Sequence, residues 1–260
     1  MFAAERIKKI KEILLEYKYV DVNTLCTLLS CSIATVRRDL DKLEGDGFLT
    51  KAYGGAILNE TESQHIVLSS ESDPYHESKK NAAKLAASLV ANGDIIFIGQ
   101  GSTCSMFASF LKCEQRQNLT IVTNNLTAAQ EFSDTSATHI IVTGGNLDIC
   151  SGSYCTVGAQ TISMLSSMFI DKAFFTVDGI SIEYGYTVAD HNYMSLLHAV
   201  MQQSTECFAI ADLSKFGRRS LVRLFDICSI KSVITNAAIP LKYKDYFFNN
   251  KIKLYTSFDD

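Results

Sequence analysis

Six short apolar runs between residues 94 and 235 constrain the fold more than any other feature of this sequence. They are Asp94–Ile98, Leu119–Thr123, His139–Thr143, Ala173–Val177, Cys207–Ala211 and Ser232–Thr235. Lys79–Ala91 precedes the first with the spacing of an amphipathic helix. Thr103–Leu111, Leu126–Phe132, Val157–Met168 and Tyr193–Gln203 separate several of the others. A strand apolar on both faces has to be covered on both faces. Strands that alternate with helices meet that need as a mainly parallel sheet between helical layers. The fold class is α/β, with no internal repeat and no low-complexity tract.

In such a sheet, ligands bind at the carboxyl ends of the strands. The first run ends in Gly99-Gln100-Gly101-Ser102-Thr103, the second in Thr123-Asn124-Asn125 and the third in Thr143-Gly144-Gly145-Asn146. The fourth ends in Asp178-Gly179 and the fifth in Ala211-Asp212-Leu213-Ser214-Lys215. Glycines let backbone N–H groups approach an anion, hydroxyls add donors, and helix N-termini carry partial positive charge. Any one of these ends alone reads as a turn, and Lys215 alone as a surface lysine. Together they sketch a cradle for a phosphorylated small molecule.

The first 57 residues follow a different pattern. Ile7, Ile10, Leu14 and Tyr17 form a helical stripe, and Asn23 is placed to cap a second helix with Leu25, Leu28 and Leu29 inward. Ser32 to Glu44 forms a third, capped by Ser32, with Ile33, Val36, Leu40 and Leu43 on one stripe. Arg38 lies opposite that stripe, flanked by Ala34, Thr35, Arg37 and Lys42. A helix that is small and basic near its start can enter the DNA major groove, where arginine grips phosphates or guanine O6/N7. Phe48–Tyr53 is a strand after the Gly45-Asp46-Gly47 break, and Gly54-Gly55 bends the chain back. Three short helices and a hairpin make a winged helix-turn-helix, with Lys51 and Tyr53 on the wing within reach of phosphate.

The net charge of −4 looks wrong for a DNA binder until it is divided. Residues 1–57 hold nine Lys+Arg against eight Asp+Glu, so positive charge is arranged there rather than abundant. That lowers expected non-specific affinity and puts weight on dimerisation. The eight cysteines show no zinc spacing, and no metal or cofactor is expected. Cys150 and Cys155 are the pair close enough in sequence to suggest a disulfide. The charged N-terminus does not resemble a signal peptide, and no apolar run is long enough to span a membrane, so a reducing cytoplasm is expected. Residues 58–78, rich in Ser and Glu, read as a linker holding His65 and His76 as solvated side chains. The expected division is residues 1–57 for DNA, 58–78 as linker, and 79–260 for effector binding and oligomerisation.

Val22-x-x-Leu25 followed by SxxTVRRDLxxLExxGFLxKxYGGA resembles the DNA-binding segment of the DeoR family of bacterial sugar-metabolism regulators. Cys31 departs from the family's usual valine and is expected to change packing in the turn. The resemblance continues in GxGST at 99–103, TNN at 123–125, TGG at 143–145, DGI at 178–180, GYT at 185–187 and DLSKFG at 212–217. It implies DNA contacts from Thr35, Arg37 and Arg38, and an effector domain similar to the ribose-phosphate isomerase fold. It also implies phosphate contacts from Gln100 to Thr103, sugar contacts around Asn124 and Asp178, and a contact from Lys215. The family usually has Asp where Gly99 stands, and Glu and Lys where Tyr193 and Leu197 stand. Proton abstraction on a sugar phosphate needs that carboxylate and that cation, so no catalytic residues are expected.

The reading is a DNA-binding regulator, expected to be a repressor of carbohydrate-metabolism genes. Its expected partners are a double-stranded operator, a phosphorylated small-molecule effector and further copies of itself, as a homodimer or higher oligomer. The alternatives are a sugar-phosphate isomerase carrying an accessory DNA-binding part, and a DNA-binding protein whose second half only oligomerises.

Overall fold

The computed structural model describes residues 3–17, 19–29, 31–45, 48–52, 55–58, 73–136, 138–150, 153–236 and 239–257. They form two compact units, one on each side of residues 59–72.

The first unit contains α1 (Ala3–Tyr17), β1 (Tyr19–Asp21), α2 (Val22–Leu29), α3 (Ile33–Gly45), β2 (Leu49–Ala52) and β3 (Gly55–Leu58). The strands pair antiparallel in the order β1-β3-β2, so a three-residue strand unseen in the sequence completes the wing's sheet. Ile10, Leu14, Leu25, Leu29, Val36, Leu40, Leu43, Phe48 and Leu49 close its core. Ile33 was expected in that seam but is 46% exposed: it opens α3, one turn ahead of the positions that face α1 and α2. The cap of α2 is Asp21 rather than Asn23. Its carboxylate accepts from Thr24 N at 2.9 Å and from Thr24 Oγ1 at 2.6 Å.

The second unit begins in order with α4 (His76–Ser88), β4 (Ile95–Ile98), α5 (Ser102–Cys113), β5 (Leu119–Thr123), α6 (Leu126–Gln130) and β6 (Thr138–Val142). The hairpin β7 (Asn146–Cys150) and β8 (Ser153–Val157) follows, then α7 (Ala159–Leu165) and β9 (Ile170–Thr176). Next come β10 (Gly179–Ser181), β11 (Gly185–Val188), α8 (His191–Gln203), β12 (Ser204–Ile210) and β13 (Val222–Phe225). The unit ends with β14 (Ser232–Asn236), α9 (Leu241–Asn249) and β15 (Lys253–Ser257). His76 therefore opens a helix, and residues 76–78 are not linker. His65 lies outside the described residues.

Seven strands form one parallel sheet in the order β15-β14-β12-β9-β4-β5-β6. Side chains alternate across it. Ile96, Ile98, Phe174 and Phe208 pack with the alanines of α4 on one face, while Phe97, Phe175 and Ala209 pack with α8 on the other. Burial on both faces is why these strands read as unbroken apolar runs. The chain leaves β4 toward β5 and β6 on one side and returns as β9, β12 and β14 on the other. The β4–β9 boundary is thus the topological switch point, the place where sheets of this kind bind ligands. Beside this sheet, β10, β11 and β13 form a small antiparallel one.

Candidate functional site

On α3 the apolar seam determines what faces outward. With Val36, Leu40 and Leu43 buried, helical geometry turns Arg37 and Arg38 to solvent, and both are exposed. Neither guanidinium forms an ion pair with a described residue. Ser32 caps the helix: Thr35 N donates to its Oγ at 3.3 Å, and the Ser32 and Thr35 hydroxyls lie 2.9 Å apart. Asp39, unremarked in the sequence, is buried and receives Arg6 of α1 in a fork, Nε at 2.5 Å and Nη2 at 3.1 Å. The pair locks α3 against α1 and fixes which way the neighbouring arginines point. Asp39→Ala should therefore lower the thermal stability of the first unit, with Asp39→Asn milder, measured by circular dichroism.

The wing departs from expectation. Lys51 is not free, because its Nζ sits 2.6 Å from Asp41 Oδ1 and 3.0 Å from Glu44 Oε2, while its N–H donates to Glu44 Oε1 at 2.9 Å. The two carboxylates raise the ammonium's pKa, and the lysine's hydrogen bonds lower that of Glu44. Tyr53 lies outside the described residues.

In the second unit, Gln100, Gly101, Ser102 and Thr103 lead from β4 into α5 at the switch point. Gly101 takes φ +101°, and no side chain caps the first N–H groups of the helix. Asn124 is fully buried. Its Nδ2 donates to Gln100 Oε1 at 3.3 Å and Thr156 O at 3.1 Å, while its Oδ1 accepts from no described group. Asn125 staples the strand ends together. It donates to Gly99 O at 3.2 Å and Ser105 Oγ at 3.1 Å, and its Oδ1 caps α6 through Ala128 N. This anchoring role of Asn125 is carried by its side-chain hydrogen bonds, which composition alone does not show.

Asp178 follows β9 and spends one oxygen on Ala189 N at 2.8 Å, bracing the arm that carries β10 and β11. Lys215 ends the short 3₁₀ turn after β12, and its ammonium pairs with no described group. Gly144 and Gly145 are placed differently. They follow β6, the sheet's outermost strand, two positions from β4. Gly145 has φ +140°, and a Cβ there would fall 2.3 Å from Thr161 Oγ1, which itself donates to Gly144 O at 2.6 Å. The close approach of α7 and of Val157 O accounts for Gly145, whereas a Cβ at Gly144 would meet nothing within 4 Å.

Gly99, Tyr193 and Leu197 form one packed group. Leu197 is fully buried, and Tyr193 donates its hydroxyl to Thr176 O at 3.1 Å. A Cβ on Gly99 would stand 3.0 Å from Phe175 Cβ and 3.3 Å from that hydroxyl. Burial holds the phenol well above its usual pKa. None of these three positions therefore holds the carboxylate or the cation that proton abstraction would use. Cys150 and Cys155 are free thiols, so the disulfide suggested by their spacing is absent. Among the described residues no cluster of three metal-binding side chains occurs, and no helix is long and apolar enough to cross a membrane.

Two family models match the chain: the DeoR-like helix-turn-helix domain over residues 6–62 and the DeoR C terminal sensor domain over residues 75–237. The chain belongs to the DeoR family. Among curated DeoR relatives, it is 30% identical over 260 residues to the HTH-type transcriptional repressor GlcR of Bacillus subtilis, covering 100% of this chain and 98% of that protein. It is 28% identical to the glycerol-3-phosphate regulon repressor of Escherichia coli, over 98% of this chain and 99% of that one. Ribose 5-phosphate isomerase A of Methanocaldococcus jannaschii is similar at 17% identity and a TM-score of 0.39, over 55% of each chain. This DeoR chain is a DNA-binding transcriptional regulator and not an enzyme.

Proposed function

We propose that this DeoR-family regulator is a cytoplasmic repressor of carbohydrate-metabolism genes, released from its operator by a phosphorylated sugar or related metabolite. The outward pair Arg37 and Arg38, backed by a buried seam, carries the DNA half of the reading. Ser32 and Thr35 stand beside them at the start of α3, and Lys51 lies on β2 of the wing. The effector half is supported by the uncapped start of α5, the buried free oxygen of Asn124 and the unpaired ammonium of Lys215. These are donors for phosphate and an acceptor for a sugar hydroxyl. The names of relatives, which include a glycerol-3-phosphate regulon repressor, fit the same ligand class.

Operators are commonly two-fold symmetric, with half-sites about 34–36 Å apart. The regulator is accordingly proposed to bind as a homodimer or larger assembly held by its second unit. Ligand at the strand ends then changes the spacing of the two α3 helices. The test is a panel of sugar and polyol phosphates screened by thermal shift and operator-binding titration. A binding ligand raises apparent stability by mass action and weakens operator affinity. Lys215→Ala is expected to lower the response to that ligand roughly tenfold to a hundredfold while leaving operator binding unchanged, since a charge-assisted hydrogen bond contributes roughly 1.5–3 kcal/mol. A panel without any shift would sink the effector half and leave the DNA half standing.

A further inference from the structure

The first turn of α3 carries a side chain that neither the core nor the cap accounts for. Ile33 is 46% exposed and stands outside the apolar cluster that Val36, Leu40 and Leu43 help to close. A lone exposed apolar side chain is ordinary on a protein surface. What singles out Ile33 is the row in which it stands. At about 100° per residue, Ile33 and Arg37 lie one turn apart on one ridge, and Ala34 and Arg38 on the next. All four are exposed. Each ridge thus has an apolar side chain at its foot and a guanidinium one turn above.

Negative charge near these ridges is absent or already engaged. The first turn of α3 holds no acidic residue. Asp39 is buried against Arg6, and Asp41 Oδ1 is held by Lys51 Nζ at 2.6 Å. The Ser32 and Thr35 hydroxyls are spent on each other at 2.9 Å. The start of α3 therefore offers a partner two guanidinium groups and a bare apolar patch.

We propose that Ile33 reads a thymine through its 5-methyl group and so helps to set the operator sequence. Thymine presents a methyl in the major groove, where apolar side chains meet it as arginine meets guanine O6/N7. In helix-turn-helix proteins the N-terminal residues of the recognition helix are the ones that reach base edges. One helical turn rises about 5.4 Å, and successive bases on a strand are about 3.4 Å apart. Side chains one turn apart then meet bases one or two steps apart. The thymine accordingly lies one or two base pairs from the base that Arg37 contacts. This inference rests on α3 being the helix that enters the groove.

The test begins with selection of preferred duplexes from a randomised pool by the full-length protein. Each thymine is then replaced in turn by deoxyuridine, which removes only the methyl, and affinity is read by fluorescence anisotropy. At one position the replacement should weaken wild-type binding about fourfold, the factor that corresponds to burying one methyl-sized group. Ile33→Ala should bind more weakly and lose that response, with its melting temperature unchanged because alanine favours the helix. Arg37→Ala should bind more weakly yet keep the response. Equal sensitivity in wild type and Ile33→Ala, or no sensitive thymine in wild type, would overturn the proposal while leaving α3 in the groove. A large fall in the melting temperature of Ile33→Ala would assign the side chain to the core and overturn it as well. Unchanged affinity on loss of both arginines is the separate result that would remove the reading helix itself.

Discussion

Replacing Arg37 and Arg38 together by alanine is expected to weaken operator binding roughly a hundredfold or more, at about 1–3 kcal/mol for each bidentate base contact. Both side chains are exposed and bear no load in the core, so the melting temperature should hold. That separates this variant from Asp39→Ala, which disturbs the same surface by loosening α3 from α1. Fluorescence anisotropy on operator fragments recovered by genomic footprinting, beside thermal denaturation, reads both quantities. Wild-type affinity in the double variant would remove α3 as the reading helix. Single variants divide the effect. An arginine on a base relaxes specificity at one position, whereas one on phosphate weakens all sequences alike and flattens the salt dependence.

The second large effect concerns Gly99→Asp, which restores the residue that the family usually carries. Here the added Cβ meets Phe175 at 3.0 Å, and the carboxylate enters a wall already filled by the Tyr193 ring. Overpacking alone costs roughly 1–3 kcal/mol, and burying the charge adds to it. Loss of soluble protein or a clear fall in the melting temperature is expected. Gly99→Asp with Tyr193→Ala should recover part of the loss, because the aromatic ring is what occupies the space. Non-additivity of that kind between touching residues is measurable as a coupling energy. If the two substitutions simply add, Gly99 and Tyr193 are unrelated departures rather than one exchange.

The sequence made the parallel sheet legible because burial on both faces leaves a continuous apolar run, and all six runs became strands. It also exposed the seam of α3, where period and cap agree. What escaped notice was structure paid for by neighbours rather than by local pattern. The hairpin β7–β8 has an outer strand, Asn146–Cys150, that is exposed along most of its length, so no alternation marks it. The small sheet joins the short hairpin β10–β11 to β13 from farther along the chain, and all three pieces are too short to carry a period. Asp21 and Asn23 are both good caps, and only the path of the chain through β1 chooses between them. GQGST and TNN announced themselves by composition, and so did Gly144-Gly145, of which the second is pressed by Thr161 of α7. Glycine reports that backbone comes close, not what comes close to it.

The double clasp on Lys51 has a consequence for how binding should respond to ionic strength. Counterion release scales with the number of phosphates that basic groups neutralise, at about 0.9 in the logarithmic slope for each one. A lysine already balanced by Asp41 and Glu44 displaces few ions from DNA. The wing should then add little to the salt slope, and discrimination should lean on base edges and on symmetry between protomers. A shallow slope for cognate sites, steepened by Asp41→Asn with Glu44→Gln, would be the mark of a regulator that holds its electrostatic grip in reserve.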